Sequence, residues 1–188
     1  MIKRIFDIVF SFIAIMLFGL FVFIFWIAAS IDTFSNGLFV QERVGQFGKL
    51  FKIYKIKSIQ NNSNKISRFG QFIRNSKIDE LPQLFNVLIG DMSFVGPRPD
   101  IAGYYDQLSG ANSNLLLLKP GLTSQASIKY FNEESILNSK KNPQEYNDTV
   151  IFPDKIKMNL DYLKNQSLML DLKIIFKTIF ANKKNMNL

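Results

Sequence analysis

The sequence predicts a mainly helical α+β chain, with an apolar N-terminal helix held in a membrane, a small β-hairpin and amphipathic helices at the membrane interface. Three observations predict it. Ile8 to Ile31 run for 24 residues without a formal charge. Turn-like and strand-like residues crowd into Val44 to Lys57. Apolar residues then recur at helical spacing around Leu84 and again around Ile175. The 188 residues suit one domain with an anchor, divided into 1–31 within the membrane and 32–188 on its surface.

Composition narrows the chemistry. The chain is 47% hydrophobic and only 20% charged, too apolar for a disordered tail. It has no Cys, which excludes disulfides, thiol catalysis and Cys-based metal sites. It has no His, which excludes Ser–His and Cys–His triads and imidazole ligands. Reactive groups must be carboxylates, Lys, Tyr or Ser/Thr. A metal would have oxygen ligands, which favours Mg²⁺, Mn²⁺ or Ca²⁺.

The 24 uncharged residues make a helix about 36 Å long, enough for a ~30 Å hydrocarbon core with some tilt. Ala28-Ala29-Ser30 is only an approximate cleavage site, so a signal peptide fits poorly. Lys3 and Arg4 precede the helix and a basic run follows it, so loop charge does not orient it. Two topologies stay open, a spanning helix and a re-entrant hairpin. The hairpin needs a break, and Gly19 is the helix-weakening residue near the middle.

Between Arg43 and Lys77 there are nine basic residues and no acidic one. The run suits either a face against anionic headgroups or a phosphate-binding basin. No nucleic-acid motif accompanies it, and none is expected as a partner. Val44 to Gly48 reads as a turn, Leu50 to Lys57 as a strand or hairpin arm, and Ser67 to Ile73 as a short helix. Leu81, Leu84, Phe85 and Leu88 form one stripe of a helix ending at Gly90, with Asp79 preferred as its N-cap. Leu168, Leu172, Ile175, Phe176 and Ile179 form a last stripe, flanked by Lys173, Lys177, Lys183 and Lys184. That stripe suits a core helix, or a helix in the membrane interface.

Three short motifs stand out. Asp79-Glu80 is either a cap with an acidic first turn, or a nucleophilic or metal-binding pair. In Gly96-Pro97-Arg98-Pro99 the prolines stiffen the backbone around one guanidinium, an arrangement suited to a bidentate grip on phosphate. Lys119-Pro120-Gly121-Leu122 reads as a type II turn.

Together the motifs say more. Lys3-Arg4-Ile5-Phe6-Asp7, Gln41-Glu42-Arg43-Val44-Gly45, Phe51 to Lys55, Asp79 to Val87 and Gly90 to Pro99 follow in that order. From Lys3 to about Thr178 the chain resembles the bacterial sugar transferase family, the small monotopic phosphoglycosyl transferases. The resemblance implies transfer of a phosphosugar from a UDP-sugar to polyprenol (undecaprenyl) phosphate with release of UMP, the initiating step of polysaccharide or glycoconjugate synthesis. It implies Asp79 as nucleophile and Mg²⁺ ligand (Mn²⁺ being possible), forming a covalent phosphosugar intermediate, with Glu80 as its partner. Arg98 would bind the phosphates, with Arg74 a second candidate and Arg43, Pro97 and Pro99 further substrate-binding positions. The membrane helix would be re-entrant, with the catalytic domain on the cytosolic face of the bacterial inner membrane among phospholipids.

Two positions depart from the family. Phe18-Gly19 stands near the usual Ser-Pro break, and Ser124-Gln125-Ala126-Ser127 replaces Gly-Trp-Ala-Gln, which leaves the sugar open. The other reading is a non-enzymatic, membrane-anchored basic module that holds anionic lipid or a partner.

Overall fold

In the computed structural model, which describes residues 2–61, 63 and 65–185, one helix, α1, runs without interruption over Ile2–Asp32. The break that a hairpin calls for at Phe18-Gly19 does not appear as a gap in helical hydrogen bonding. Only Asp7, Ser11 and Ala29 are buried. Met16, Leu17 and Leu20 are more than 70% exposed, which suits lipid rather than water. Even so, both ends of α1 rest on the rest of the chain.

At the first end the contacts are polar. Lys3 donates to Asp171 at 2.6 Å, and the buried Tyr162 hydroxyl donates to the other oxygen of that carboxylate. Arg4 donates to the carbonyls of Val87 and Leu88 at 2.6 and 2.7 Å. Asp7 accepts from the backbone N–H of Phe94 and the hydroxyl of Ser93. The other end packs through apolar contact: Phe25 stacks near Phe69 and Phe72, and Ala29 joins Ile56 and Ile73.

The hairpin forms as expected. β1 (Leu38–Val44) pairs antiparallel with β2 (Leu50–Ile56), placing Glu42 opposite Lys52 and Val40 opposite Tyr54. Ile53 and Ile56 are both buried although they point to opposite faces. Ile53 packs with Val87 and Met92, and Ile56 with Ala29 and Ile73, so β2 is covered on both sides.

Helix α2 (Arg68–Asn75) starts at Ser67, whose hydroxyl accepts from the Gly70 N–H as an N-cap. Next comes a 3₁₀ turn, Ile78–Glu80, and then α3 (Gln83–Ile89), which Gly90 closes at φ +101°. Asp79 is therefore not the N-cap of α3. Pro82 takes that position, where its missing N–H costs nothing, and the Asp79 carboxylate is left free.

β3 (Ser93–Val95) runs parallel to β4 (Gly121–Thr123). Gly121 does not take the positive φ of a type II turn, so the turn reading is corrected. Its role is close approach: a Cβ on Gly121 would lie 2.1 Å from the Gly96 nitrogen, and one on Gly96 would lie 2.2 Å from the Lys119 oxygen. Five further α-helices follow, α4 (Gln125–Lys129), α5 (Glu133–Asn138), α6 (Pro143–Tyr146), α7 (Phe152–Asn165) and α8 (Leu168–Asn185), with 3₁₀ segments at Tyr105–Gln107 and Gly110–Leu117 before them and a π-helical turn, Asn147–Ile151, between α6 and α7. A cluster of Val95, Leu118, Ile156, Tyr162 and Ile174 holds α7 and α8 beneath β3.

The last apolar stripe faces outward, which corrects the core-helix alternative. Asp171 and Ile174 are buried, while Leu168, Leu172, Phe176 and Ile179 are exposed and Ile175 is intermediate. The polar partners Lys3 and Tyr162 turn Asp171 inward and so select the other face. The side chains of Lys183 and Lys184 lie outside the described residues.

Gly121→Ala should be poorly tolerated, because the colliding atoms are backbone. A loss of about 3 kcal/mol is expected in thermal or denaturant unfolding of the detergent-solubilised protein. A loss below about 0.5 kcal/mol would mean that the two backbones separate freely.

Candidate functional site

Of the residues picked from sequence, all but Pro97 line one cleft of about 1930 Å³. Four neighbouring segments build its charged wall. β2 supplies Lys55, α2 supplies Arg74, the 3₁₀ turn supplies Asp79 and Glu80, and the loop after β3 supplies Arg98, Pro99 and Asp100. Lys77 makes the junction between α2 and the turn at φ +59°, a left-handed conformation that is strained for a Lys. This reversal aims Asp79 and Glu80 into the cleft.

The two carboxylates have opposite environments. Glu80 accepts from Lys55 at 3.2 Å and from Arg98 at 2.5 Å, with a second, longer contact to Arg98 at 3.5 Å. Burial opposes its ionisation, but Arg98 and Lys55 prevail and hold the carboxyl well below the usual range. Asp79 is 9% exposed, and its Oδ1 is buried with no hydrogen-bond partner. Burial, reinforced by the neighbouring Glu80 charge, pushes Asp79 up to about 6 against the pull of Lys55, Lys77 and Arg74. Glu80 is thus a fixed anion committed to two cations. Asp79 is ionised at neutral pH and has an oxygen to give.

The cations are arranged around this pair. Arg98 keeps nearly half of its side chain exposed while it grips Glu80, so one edge faces the cleft. Arg74 lies 3.7 Å from the exposed Glu134. Arg43 donates to Gln41, lies 3.8 Å from Asp100, and has a buried Nε without a partner. Lys55 is pushed down by burial although Glu80 pulls the other way.

Pro99 lines the cleft, whereas Pro97 does not. Pro97 is buried, and its carbonyl accepts from the Gly121 N–H at 2.8 Å, so it fixes the loop from behind. Residues not singled out from sequence also line the cleft: Asp100, Tyr105, and the Lys155–Glu133 pair at 2.6 Å. For Lys55 a signal existed, its place in the basic run from Arg43 to Lys77 and in the Phe51 to Lys55 block. For Lys155 and Glu133, 22 residues apart on α7 and α5, there was none.

The donor set suits a hard cation. Among the described residues no three acidic side chains cluster. Mg²⁺ needs only one or two carboxylates when phosphate oxygens and water complete its shell. The unpartnered Asp79 oxygen could serve as one such carboxylate ligand, while Glu80 is already engaged.

The raised Asp79 value has a consequence for stability. Its proton is held more tightly in the folded chain than in the unfolded one, so folding loses stability as pH rises from about 4 through about 6. Asp79→Asn removes that cost. The variant should unfold later than wild type at pH 8, by at most about 3 kcal/mol, and close to wild type at pH 4. Thermal unfolding at the two pH values measures this. Equal destabilisation at both would restore the capping role.

Comparison with known proteins agrees with the motifs. The sequence profile of bacterial sugar transferases matches residues 1–185. A UDP-glucose:undecaprenyl-phosphate glucose-1-phosphate transferase of Klebsiella pneumoniae is 33% identical over 196 residues, covering 95% of this chain and 39% of its own length. A UDP-N-acetylgalactosamine-undecaprenyl-phosphate N-acetylgalactosaminephosphotransferase of Aeromonas hydrophila is 34% identical, covering 95% of this chain and 43% of its own. A UDP-glucose:undecaprenyl-phosphate glucose-1-phosphate transferase of Xanthomonas campestris is 40% identical over 119 residues, 61% of this chain and 22% of its own. The chain thus spans roughly a fifth to two fifths of these relatives' lengths.

Proposed function

The chain belongs to the bacterial sugar transferase family, and on that premise we propose that it transfers a sugar 1-phosphate from a UDP-sugar to undecaprenyl phosphate. The observation that carries this reading is Asp79, a buried carboxylate with an unpartnered oxygen in a cation-lined cleft. A face that only held lipid would gain nothing from such a group, which costs stability where it stands.

The chemistry follows from the contrast between the two carboxylates. An Asp79 oxygen attacks the phosphorus that bears the sugar. The bond from that phosphorus to the bridging oxygen breaks, and its electron pair leaves with UMP. The sugar phosphate is then held on Asp79 as an acyl phosphate. A phosphate oxygen of undecaprenyl phosphate attacks the same phosphorus and returns the carboxylate. Glu80 does not compete as nucleophile, because Arg98 and Lys55 hold it. Instead it orients those two cations toward the diphosphate, whose charge builds on the leaving UMP. Mg²⁺, or Mn²⁺, would be held by Asp79 together with phosphate oxygens and water, and would neutralise charge on the diphosphate.

The membrane placement is part of the proposal. Residues 1–31 would lie in the bacterial inner membrane, with 32–188 on its cytosolic face, where UDP-sugars are found. In support, the body touches both ends of α1, through Lys3 and Arg4 at one and Phe25 and Ala29 at the other. A helix crossing to the far side would leave one end alone, and would carry Lys3 and Arg4 with it against the positive-inside bias.

Asp79→Asn should lower UMP release by at least about 10³-fold while the fold persists. With a UDP-sugar labelled in the sugar-bearing phosphate, acid-quenched wild type should carry protein-bound label and the variant none. Turnover at a tenth of wild type would reject the nucleophile role.

Arg98→Lys should cost roughly 10²-fold in kcat/KM, or ~2.7 kcal/mol, although the charge is kept. One ammonium cannot grip Glu80 and also present a planar edge to phosphate. A steady-state loss under threefold would make Arg98 a structural counter-ion.

A further inference from the structure

Beyond α4 from the cleft lies a second, smaller cavity of about 320 Å³ between α4, α7 and α8. Ile128, Met158, Leu170 and Ile174 make its floor, and Lys129, Lys173 and Lys177 stand at its rim. Lys129 pairs with Asp154 at 2.7 Å. Lys173 and Lys177 are exposed and make no ion pair among the described residues. Four residues apart on one helix, they repel each other unless an anion joins them.

Their position on α8 is informative. The helix exposes Met169, Leu172, Phe176 and Phe180 on one face and buries Ile174 against the body. At 3.6 residues per turn, Lys173 and Lys177 fall on the flank between those faces. A helix lying on a bilayer by its apolar face holds its flanking lysines at headgroup depth. The cavity opens on that same flank, with an apolar floor behind its cations. Phosphate above and hydrocarbon below is the chemistry of an anionic amphiphile.

We propose that this groove binds an anionic phospholipid, its phosphate between Lys173 and Lys177 and one acyl chain along Ile128, Met158 and Leu170. Free phosphate would leave the apolar floor unfilled. The proposal rests on α8 lying against the membrane and is independent of the transfer chemistry in the cleft. A lipid seated here would set the depth of α8, and with it the height of α4 and the cleft wall above the bilayer.

The test uses the full chain in nanodiscs of phosphatidylcholine with a minor fraction of phosphatidylglycerol, with retained lipid counted by native mass spectrometry. Wild type should keep phosphatidylglycerol in preference to phosphatidylcholine. Lys173→Gln with Lys177→Gln should cut that retention at least about tenfold. Met158→Trp, which fills the floor and keeps the lysines, should cut it similarly. Lys140→Gln with Lys141→Gln changes the net charge equally at exposed positions outside both cavities, and should leave retention unchanged. Equal loss in that control would mean diffuse attraction and overturn the groove. So would displacement of the lipid by inorganic phosphate, or by an equimolar amount of polyprenyl phosphate, which would reassign the groove to the acceptor. Failure of every UDP-sugar to yield UMP would sink the proposed function and leave this result standing.

Discussion

The first turn of α1 is the constraint on which the other elements depend. Lys3, Arg4 and Asp7 are three charges within five residues, at the end of a helix that is otherwise apolar. Each is satisfied by a different part of the body. Lys3 reaches the buried Asp171 of α8, Arg4 the last carbonyls of α3, and Asp7 the start of β3. Removing one partner of a buried charge pair costs about 3–5 kcal/mol, far more than an exposed pair contributes. The helix therefore cannot rotate or slide without stranding a charge. It orients α3, which follows the Asp79–Glu80 turn, and β3, which leads into Arg98. The long apolar helix and the charged cleft wall are thereby fixed by the same few hydrogen bonds.

Within the site the costs fall where function would place them. Lys77 is held at positive φ, Asp79 keeps an unsatisfied oxygen, and Arg43 has an unpartnered Nε. Each departs from what stability alone selects, and all three line one cleft. Glu80 provides the counterweight. By holding Arg98 and Lys55 it keeps two cations ordered at the cleft wall, where they would otherwise repel each other. Two adjacent carboxylates thus take different tasks, because one is surrounded by cations and the other mainly by protein.

The local patterns in the sequence were legible where one element decided the outcome. A short helix formed after Ser67, Gly90 closed α3, and Val44 to Gly48 turned the hairpin. Legibility failed where a distant partner decided. Asp79 has the residue type and spacing of a cap, but Pro82 starts α3 and leaves the carboxylate for the cleft. Gly121 looks like a turn glycine because Pro precedes it. Its actual requirement, the backbone at Gly96, lies 25 residues away. The α8 stripe suits a core helix on its own pattern, and it faces outward because Lys3, at the opposite end of the chain, draws Asp171 inward. The Asp-Glu and Gly-Pro-Arg-Pro blocks marked the site, yet Arg98 meeting Glu80 followed only from the fold.

The exposed faces of α1 and α8 bear on how so small a body holds together. Among the described residues, most of the buried apolar side chains fall into three clusters rather than one core. Much of the remaining apolar surface, from Met16 and Leu20 to Phe176 and Phe180, points outward. In water that surface would be a liability; against lipid it is the part of the hydrophobic term that the core does not supply. Stability and position are then coupled. A membrane covering α1, as proposed, would press on the same helix whose first turn carries α3 and β3. On that placement, lipid thickness and headgroup charge would act on the charged wall through the backbone, without any contact to the cleft itself.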